Sequence, residues 1–384
     1  MATSSKLQKL YDVIESGKTI LCVGPMSTNC IDAAIEVSNE NDIPMILIPS
    51  RRQVESNELG GGYVMSTEDF VPYVRERDKK NLILIERDHG GPLQGNNENI
   101  LPHYDSFEEA KLSYKRDIES GFDILEIDPS LTNKGNLPLE DDRNYILDDF
   151  FFLYAHCEGR GGNKDLVYEF EFEEHSERKT SIKDFMSAAG YVVNIKKDVN
   201  DNIKFLVGNI GLYVREMENV GKVDFGLLES FITKCKLCGL YFKAHNCDYI
   251  DEETLTKMNK AGVAAINIAP QYGVEETKEF CNQLILNGMH EELNTFVDAA
   301  FFSNKWKKWM KDSNSVAPQF SKGEELGHEK MDYKAKICGH YVFNHPEIIE
   351  IRKRADKLFG LNSVLKNRLK LLMRLQLISL GWTC

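Results

Sequence analysis

The stretch NLILIERDHGGP, Asn81 to Pro92, decides how the rest of the chain is read. Leu82 to Ile85 are four apolar residues, short enough for a buried strand and too short for a core helix. The run then breaks into Arg87-Asp88-His89-Gly90-Gly91-Pro92, an acid beside an imidazole followed by a Gly-Gly-Pro stop. In α/β folds, chemistry collects at the carboxyl ends of core strands.

Similar runs lie on both sides of it. TILCVG (Thr19 to Gly24) and PMILIP (Pro44 to Pro49) precede it. Phe122 to Ile127, Leu166 to Phe172, Ile203 to Gly208, Leu240 to Ala244 and Val263 to Ile268 follow. Helical patterns separate most of them, and Ser66 or Thr67 reads as the cap of one such helix. Eight strands alternating with helices predict a (β/α)8 TIM barrel over residues 1–275. A doubly wound open sheet is the alternative, but the turn GPMSTN after the first run is not the Gly-rich phosphate turn of that fold. Beyond residue 275 the strand pattern stops. Residues 276–384 are expected to form a helical C-terminal extension packed on the barrel, with the polar segment 311–335 as a loop. The last helix, NSVLKNRLKLLMRLQLISLG, is basic and amphipathic, which suits packing on the barrel or on a partner subunit better than a membrane surface.

The 384 residues carry a net charge of −13, which argues against nucleic acid or an anionic membrane as the main partner. It leaves room for a phosphorylated small molecule, which needs only a few local donors. No run reaches the ~18 apolar residues of a membrane span. The first residues, MATSSKLQKLYDVIESG, lack the apolar centre of a signal peptide. Nine cysteines without framework spacing fit a reducing cytoplasm. Cys235-x-x-Cys238 has a metal-like spacing but no second pair.

The strand ends share a chemistry. The third gives Asp88 and His89, the fourth Asp128, the fifth Glu171 and Glu173, and the seventh His245 and Asp248. A barrel gathers these ends on one rim, and two imidazoles with a carboxylate are a standard set for a divalent ion. Glu169, Glu171 and Glu173 share one strand face. Glu173 is nearest the strand end, where a metal would compensate its charge; Glu171 is one layer lower, and Glu169 reads as structural. Phosphate usually sits on the late loops of a barrel, so Asn209 in Gly208-Asn209-Ile210-Gly211 and Gln271 in Pro270-Gln271-Tyr272-Gly273 are candidate substrate contacts.

With these residues laid out, the chain resembles the family of the class II D-tagatose-bisphosphate aldolase accessory (non-catalytic) subunit, which includes metal-dependent tagaturonate and ketose-phosphate epimerases. The resemblance runs through RRQVESNELGGGYVMSTEDF, RDHGGP, GFDILEIDPS, FKAHNCDY, YVFNHPEI and LNSVLKNRL. It implies His89, Glu173 and His245 as metal ligands and Asp88 as the proton-transfer carboxylate. Asp128 would be a second acid or base or a partner behind the ligands, and Gln53 and Tyr63 would border the substrate. The chain departs from the family after the fifth strand, where Glu171-Phe172-Glu173-Glu174-His175 replaces a Pro- and Gly-rich ending. It departs again in a longer loop at Glu55 to Leu59.

The function this implies is a metal-dependent, cytoplasmic epimerase of a ketose or ketose phosphate, using zinc or, second, manganese. It would work through an enediolate or a retro-aldol and aldol step. The alternatives are a class II-type ketose-phosphate aldolase, or a non-catalytic stabilising subunit of a partner aldolase. A homo-oligomer is compatible with each.

Overall fold

The computed structural model describes residues 5–96, 101–131, 139–160, 165–171, 179–198, 201–310 and 328–384. Eight parallel strands close into a barrel: β1 Ile20–Val23, β2 Met45–Leu47, β3 Ile83–Gly90, β4 Ile124–Ile127, β5 Val167–Phe170, β6 Ile203–Val207, β7 Tyr241–Ala244 and β8 Ala265–Ile268. Each pairs with its sequence neighbours, and β1 closes the ring on β8 with Ile20 opposite Ala265 and Val23 opposite Ile268. The strands are rich in apolar residues because both faces are covered, by side chains inside and by helices outside. This is the (β/α)8 barrel expected from the sequence, with a helical C-terminal extension.

The helices on the barrel begin and end on local signals. Ser27 caps α2 (Thr28–Asn41), accepting from the Cys30 N–H at 3.0 Å. Ser66 caps α3 (Thr67–Arg77), accepting from the Asp69 N–H at 3.2 Å. Helix α4 (His103–Ser120) stops at Gly121, which takes φ +94°, a conformation cheap only for glycine.

Strand β3 runs further than its apolar run predicts. It continues through Glu86, Arg87, Asp88 and His89 to Gly90, with a register shift against β4 between Arg87 and Gly90. Pairing rather than hydrophobicity extends it. The buried Arg87 guanidinium donates to the carbonyls of Pro49 (3.0 Å) and Val54 (2.7 Å) and forks onto both oxygens of Asp117 on α4. The Asp88 N–H donates to Pro49 at 3.0 Å.

The extension begins on α9 (Pro270–Leu286), which crosses residue 275 without a break. A second apolar core, including Phe280, Phe296, Phe343 and Leu361, joins α9 to α10 (His290–Phe302), α11 (His328–Cys338) and α12 (Pro346–Phe359). Part of the polar segment expected to be a loop is therefore helix: α11 is fixed by buried Ala335, Ile337 and Cys338. The segment KWKKW is a 3₁₀ turn over Lys305–Trp309. The basic last helix, α13 (Leu361–Ser379), lies on the barrel. Lys366, Lys370 and Arg374 pair with Glu36 and Glu40 of α2, while Leu365, Leu369, Met373 and Leu377 are fully buried. No helix among the described residues is long and apolar enough to cross a membrane. Cys235 and Cys238 sit at the end of α7 (Phe225–Leu237), unbridged.

Candidate metal centre and substrate cavity

Strand alternation stacks the site in layers. Residues two apart on a strand face the same way, so Glu169 and Glu171 point inward together from β5, as do Lys243 and His245 from β7. In the lower layer, the Lys243 ammonium lies 2.8 Å from Glu86 and 3.0 Å from Glu169, all three side chains at most 1% exposed. The upper layer holds His89, Glu126, Glu171 and His245. One ligand atom from each lies within 4.8 Å of all the others.

His89 reaches this layer through a bulge. Alternation would turn it away from the barrel once Asp88 faces inward. The register shift, with His89 at φ +48°, brings both side chains to the cavity. The neighbouring glycines make the bend possible: a Cβ on Gly90 would crowd Arg87, Tyr114 and the Glu126 carbonyl, and one on Gly91 would collide with the Asp128 carbonyl. The two imidazoles meet edge to face, with ring centroids 5.6 Å apart. His89 Nδ1 lies 3.1 Å from Glu171 and 3.2 Å from Asp128. His245 Nε2 lies 3.3 Å from Glu169, and its Nδ1 is 3.4 Å from Glu171.

The electrostatics of the upper layer call for a cation. Burial, then the neighbouring Glu171, pushes the Glu126 carboxyl well above its usual range. Burial would raise Glu171 too, but His245, contact with Glu126, and His89 hold it well below. Against the cost of burial, Glu171 and Glu169 lift the His245 imidazole to about 10. In the metal-free chain protons therefore collect in this layer, on the imidazoles that face Glu171 and on Glu126 itself. Glu126 Oε1 is buried and makes no hydrogen bond among the described residues. Two imidazoles and two carboxylates fit a divalent transition metal, of the zinc or manganese type, and would neutralise its charge.

The sequence-predicted residues divide by position. Asp88, His89, His245, Gln53, Tyr63, Asn209 and Asp248 line one cavity of about 420 Å³. Asn267 Nδ2 donates to Asp88 at 2.8 Å. Gln53 accepts from the Ser50 N–H and faces Met26. Asp248 accepts from the Ala269 and Gln271 N–H groups, yet burial pushes its carboxyl up to about 7. Asp128 is fully buried behind His89, where it accepts from Gln94 at 2.5 Å and from the Ser130 N–H, and does not line the cavity. Gln271 turns away, bonding to the Tyr249 N–H and Gln376. Glu173 falls outside the described residues; Glu171, two residues earlier in the chain, is in the described donor set.

Glu126, Glu86 and Lys243 were missed in the sequence reading. Their signal is a lone charge inside a short apolar strand, as in Ile124-Leu125-Glu126-Ile127, which a closed barrel can bury only if it is paired. The cavity wall added by Lys308, Trp309 and Tyr341 of the extension had no local signal at all.

No family model and no curated protein matches the chain. Among solved structures it is similar to a probable tagatose 6 phosphate kinase from Sinorhizobium meliloti 1021, with 17% identity, a TM-score of 0.72, and 94% of this chain and 100% of that one covered. It is also similar to a putative fructose-1,6-biphosphate aldolase from Coccidioides immitis, with 12% identity, a TM-score of 0.52 and 98% of both chains covered. At these identities the likeness is one of fold.

Proposed function

We propose that the chain is a metal-dependent enzyme of ketoses or ketose phosphates, an epimerase in the first instance. The observation that carries this reading is the four-donor set of His89, Glu126, Glu171 and His245, of which His89, Glu171 and His245 line the same cavity as Asp88. A divalent ion held there would supply Lewis-acid polarisation of a substrate carbonyl.

The chain's own residues do the rest. Asp88, steadied by Asn267, is the carboxylate that takes and returns a proton beside the carbonyl carbon. Asp128 orients the His89 ring and is a positioning residue rather than the second acid. Asp248, on the same wall with its carboxyl pushed up to about 7, suits the second proton transfer. Gln53, Tyr63 and Asn209 offer hydrogen bonds to sugar hydroxyls, while Trp309 and Tyr341 narrow the mouth against water. The sugar phosphates in the names of both similar structures agree with this substrate class.

A class II-type aldolase would use the same residues, because an aldol cleavage also develops charge beside the carbonyl. Incubation with ketose phosphates in deuterated water separates the two. Recovered epimer carrying deuterium is the expected result. Unlabelled epimer would mean cleavage and reclosure, and accumulating triose phosphate would mean a lyase. A metal-loaded chain that leaves every ketose and ketose phosphate unchanged would overturn the reading in favour of a scaffold.

A further inference from the structure

A phosphorylated substrate needs a phosphate holder. In the late loops named from the sequence, four amides are already spent: Asn209 N–H on Thr180 Oγ1 (2.8 Å), Gly211 N–H on Asn209 Oδ1 (2.7 Å), Gln271 N–H on Asp248 (2.8 Å) and Tyr272 N–H on the Ala269 carbonyl. The basic side chains of the cavity wall are Arg52, Arg215 and Lys308, from three distant parts of the chain. Arg52 follows Arg51, whose guanidinium is buried against Glu55 (2.7 Å) and the Gly91 carbonyl. Neither Arg52 nor Lys308 has a carboxylate partner among the described residues.

Fixed contacts bring these groups together. The Glu216 N–H donates to the Trp309 carbonyl at 2.6 Å, which ties the segment of Arg215 to that of Lys308. Asn344 of the extension donates to the carbonyls of Tyr63 and Val64, holding the loop after Arg52 against the same side. Lys308 rests on the rings of Trp309 and Tyr341, and Arg215 on that of Tyr213, so their cationic ends are propped by aromatic faces. Arg52 and Lys308, on one cavity wall and with no carboxylate partner among the described residues, are a cradle for an anion in a chain of net charge −13.

We propose that Arg52 and Lys308 bind the phosphate monoester of the sugar, so that the C-terminal extension supplies part of the phosphate end of the site. The proposal rests on the sugar-enzyme reading above and names the substrate's charged end. Two cations suit a phosphate dianion better than the single charge of a carboxylate, the other oxyanion a sugar can carry.

The test is calorimetric titration of the metal-chelated full chain with inorganic phosphate, a ketohexose 6-phosphate and a hexuronate. It compares the parent with Arg52→Met and Lys308→Met, using the thermal midpoint as the folding control. Phosphate and the ketose phosphate are expected to bind, and each substitution to weaken both by about tenfold or more. Equal binding by parent and variants, or none to the parent, would overturn the proposal. Binding of the hexuronate in preference to phosphate would overturn it in favour of a carboxylate. Chelation removes metal and turnover from this measurement, so the rim is judged apart from the catalytic reading. Rim-dependent phosphate binding without turnover would leave the proposal standing while the epimerase reading fell. Turnover of ketose phosphates with an unchanged KM in both variants would do the reverse.

Discussion

Two layers of the same barrel solve the same electrostatic problem in different ways. In the lower layer, Lys243, a cation built into the chain, lies 2.8 Å from Glu86 and 3.0 Å from Glu169 and balances one negative charge. Burial, then Glu169, pushes the Glu86 carboxyl up to about 8, so that it holds a proton at neutral pH. In the upper layer, Glu126 and Glu171 face each other with two imidazoles and no lysine or arginine in the donor set. The lower layer carries its own cation as soon as the chain folds. The upper one is complete only when it takes up protons or a metal ion. A permanent cation below fixes the floor on which an exchangeable one is held, and the His245–Glu169 contact couples the two.

Breaking the floor gives the largest effect. Lys243→Met leaves two buried carboxylates without their counter-charge, and chemical denaturation should report a loss of about 3–5 kcal/mol. A loss below about 1 kcal/mol would mean that the layer does not depend on its lysine. Next comes the coupling between a ligand and its support. Asp128→Asn should weaken metal binding about 10–100-fold in a chelator competition assay while leaving the fold intact, because Asp128 touches His89 and not the cavity. An unchanged affinity would remove Asp128 from the account.

The upper layer also carries a pH dependence of its own. In the metal-free chain, folding raises the His245 pKa from its ordinary 6.5 to about 10. That contribution to stability is fully present below pH 6.5 and is lost as pH rises toward 10, by up to about 1.4 kcal/mol per unit. Thermal midpoints of chelated protein should therefore fall between pH 7 and 10. Metal-loaded protein should resist this fall, because the bound ion requires neutral imidazoles. Parallel curves with and without metal would contradict the assignment of His245. The smallest effect belongs to the cavity wall, where Gln53→Ala should raise KM a few-fold, by about 1 kcal/mol for one hydrogen bond, with kcat nearly unchanged.

Much of this was legible in the sequence, for identifiable reasons. Aliphatic runs such as Ile83 to Ile85 and Ile203 to Val207 mark strands buried on both faces, and their alternation with helices gives the barrel. Asp88, His89 and His245 stand at strand ends, where polarity after an apolar run is conspicuous. The bulge that turns His89 inward was not legible, because it depends on Gly90 and Gly91 passing close to β4 and Asp128. Nor was the extent of β3, which the Arg87–Asp117 pairing settles across 30 positions. Glu126 and Lys243 looked like isolated charges because each is explained only by a partner on another strand. The extension's wall, Lys308 to Trp309 with Tyr341, is set by tertiary packing on the second core. The basic face of α13, ambiguous alone, is resolved by Glu36 and Glu40 on α2.

The central claim, an imported cation above a built-in one, is tested most directly by the metal content of the purified full chain. Parent protein should bind one equivalent of zinc or manganese. His89→Ala and His245→Ala should each lose it, and Asp88→Asn should keep it. A parent chain that takes up no divalent ion, or histidine variants that bind it as well as the parent, would contradict the account.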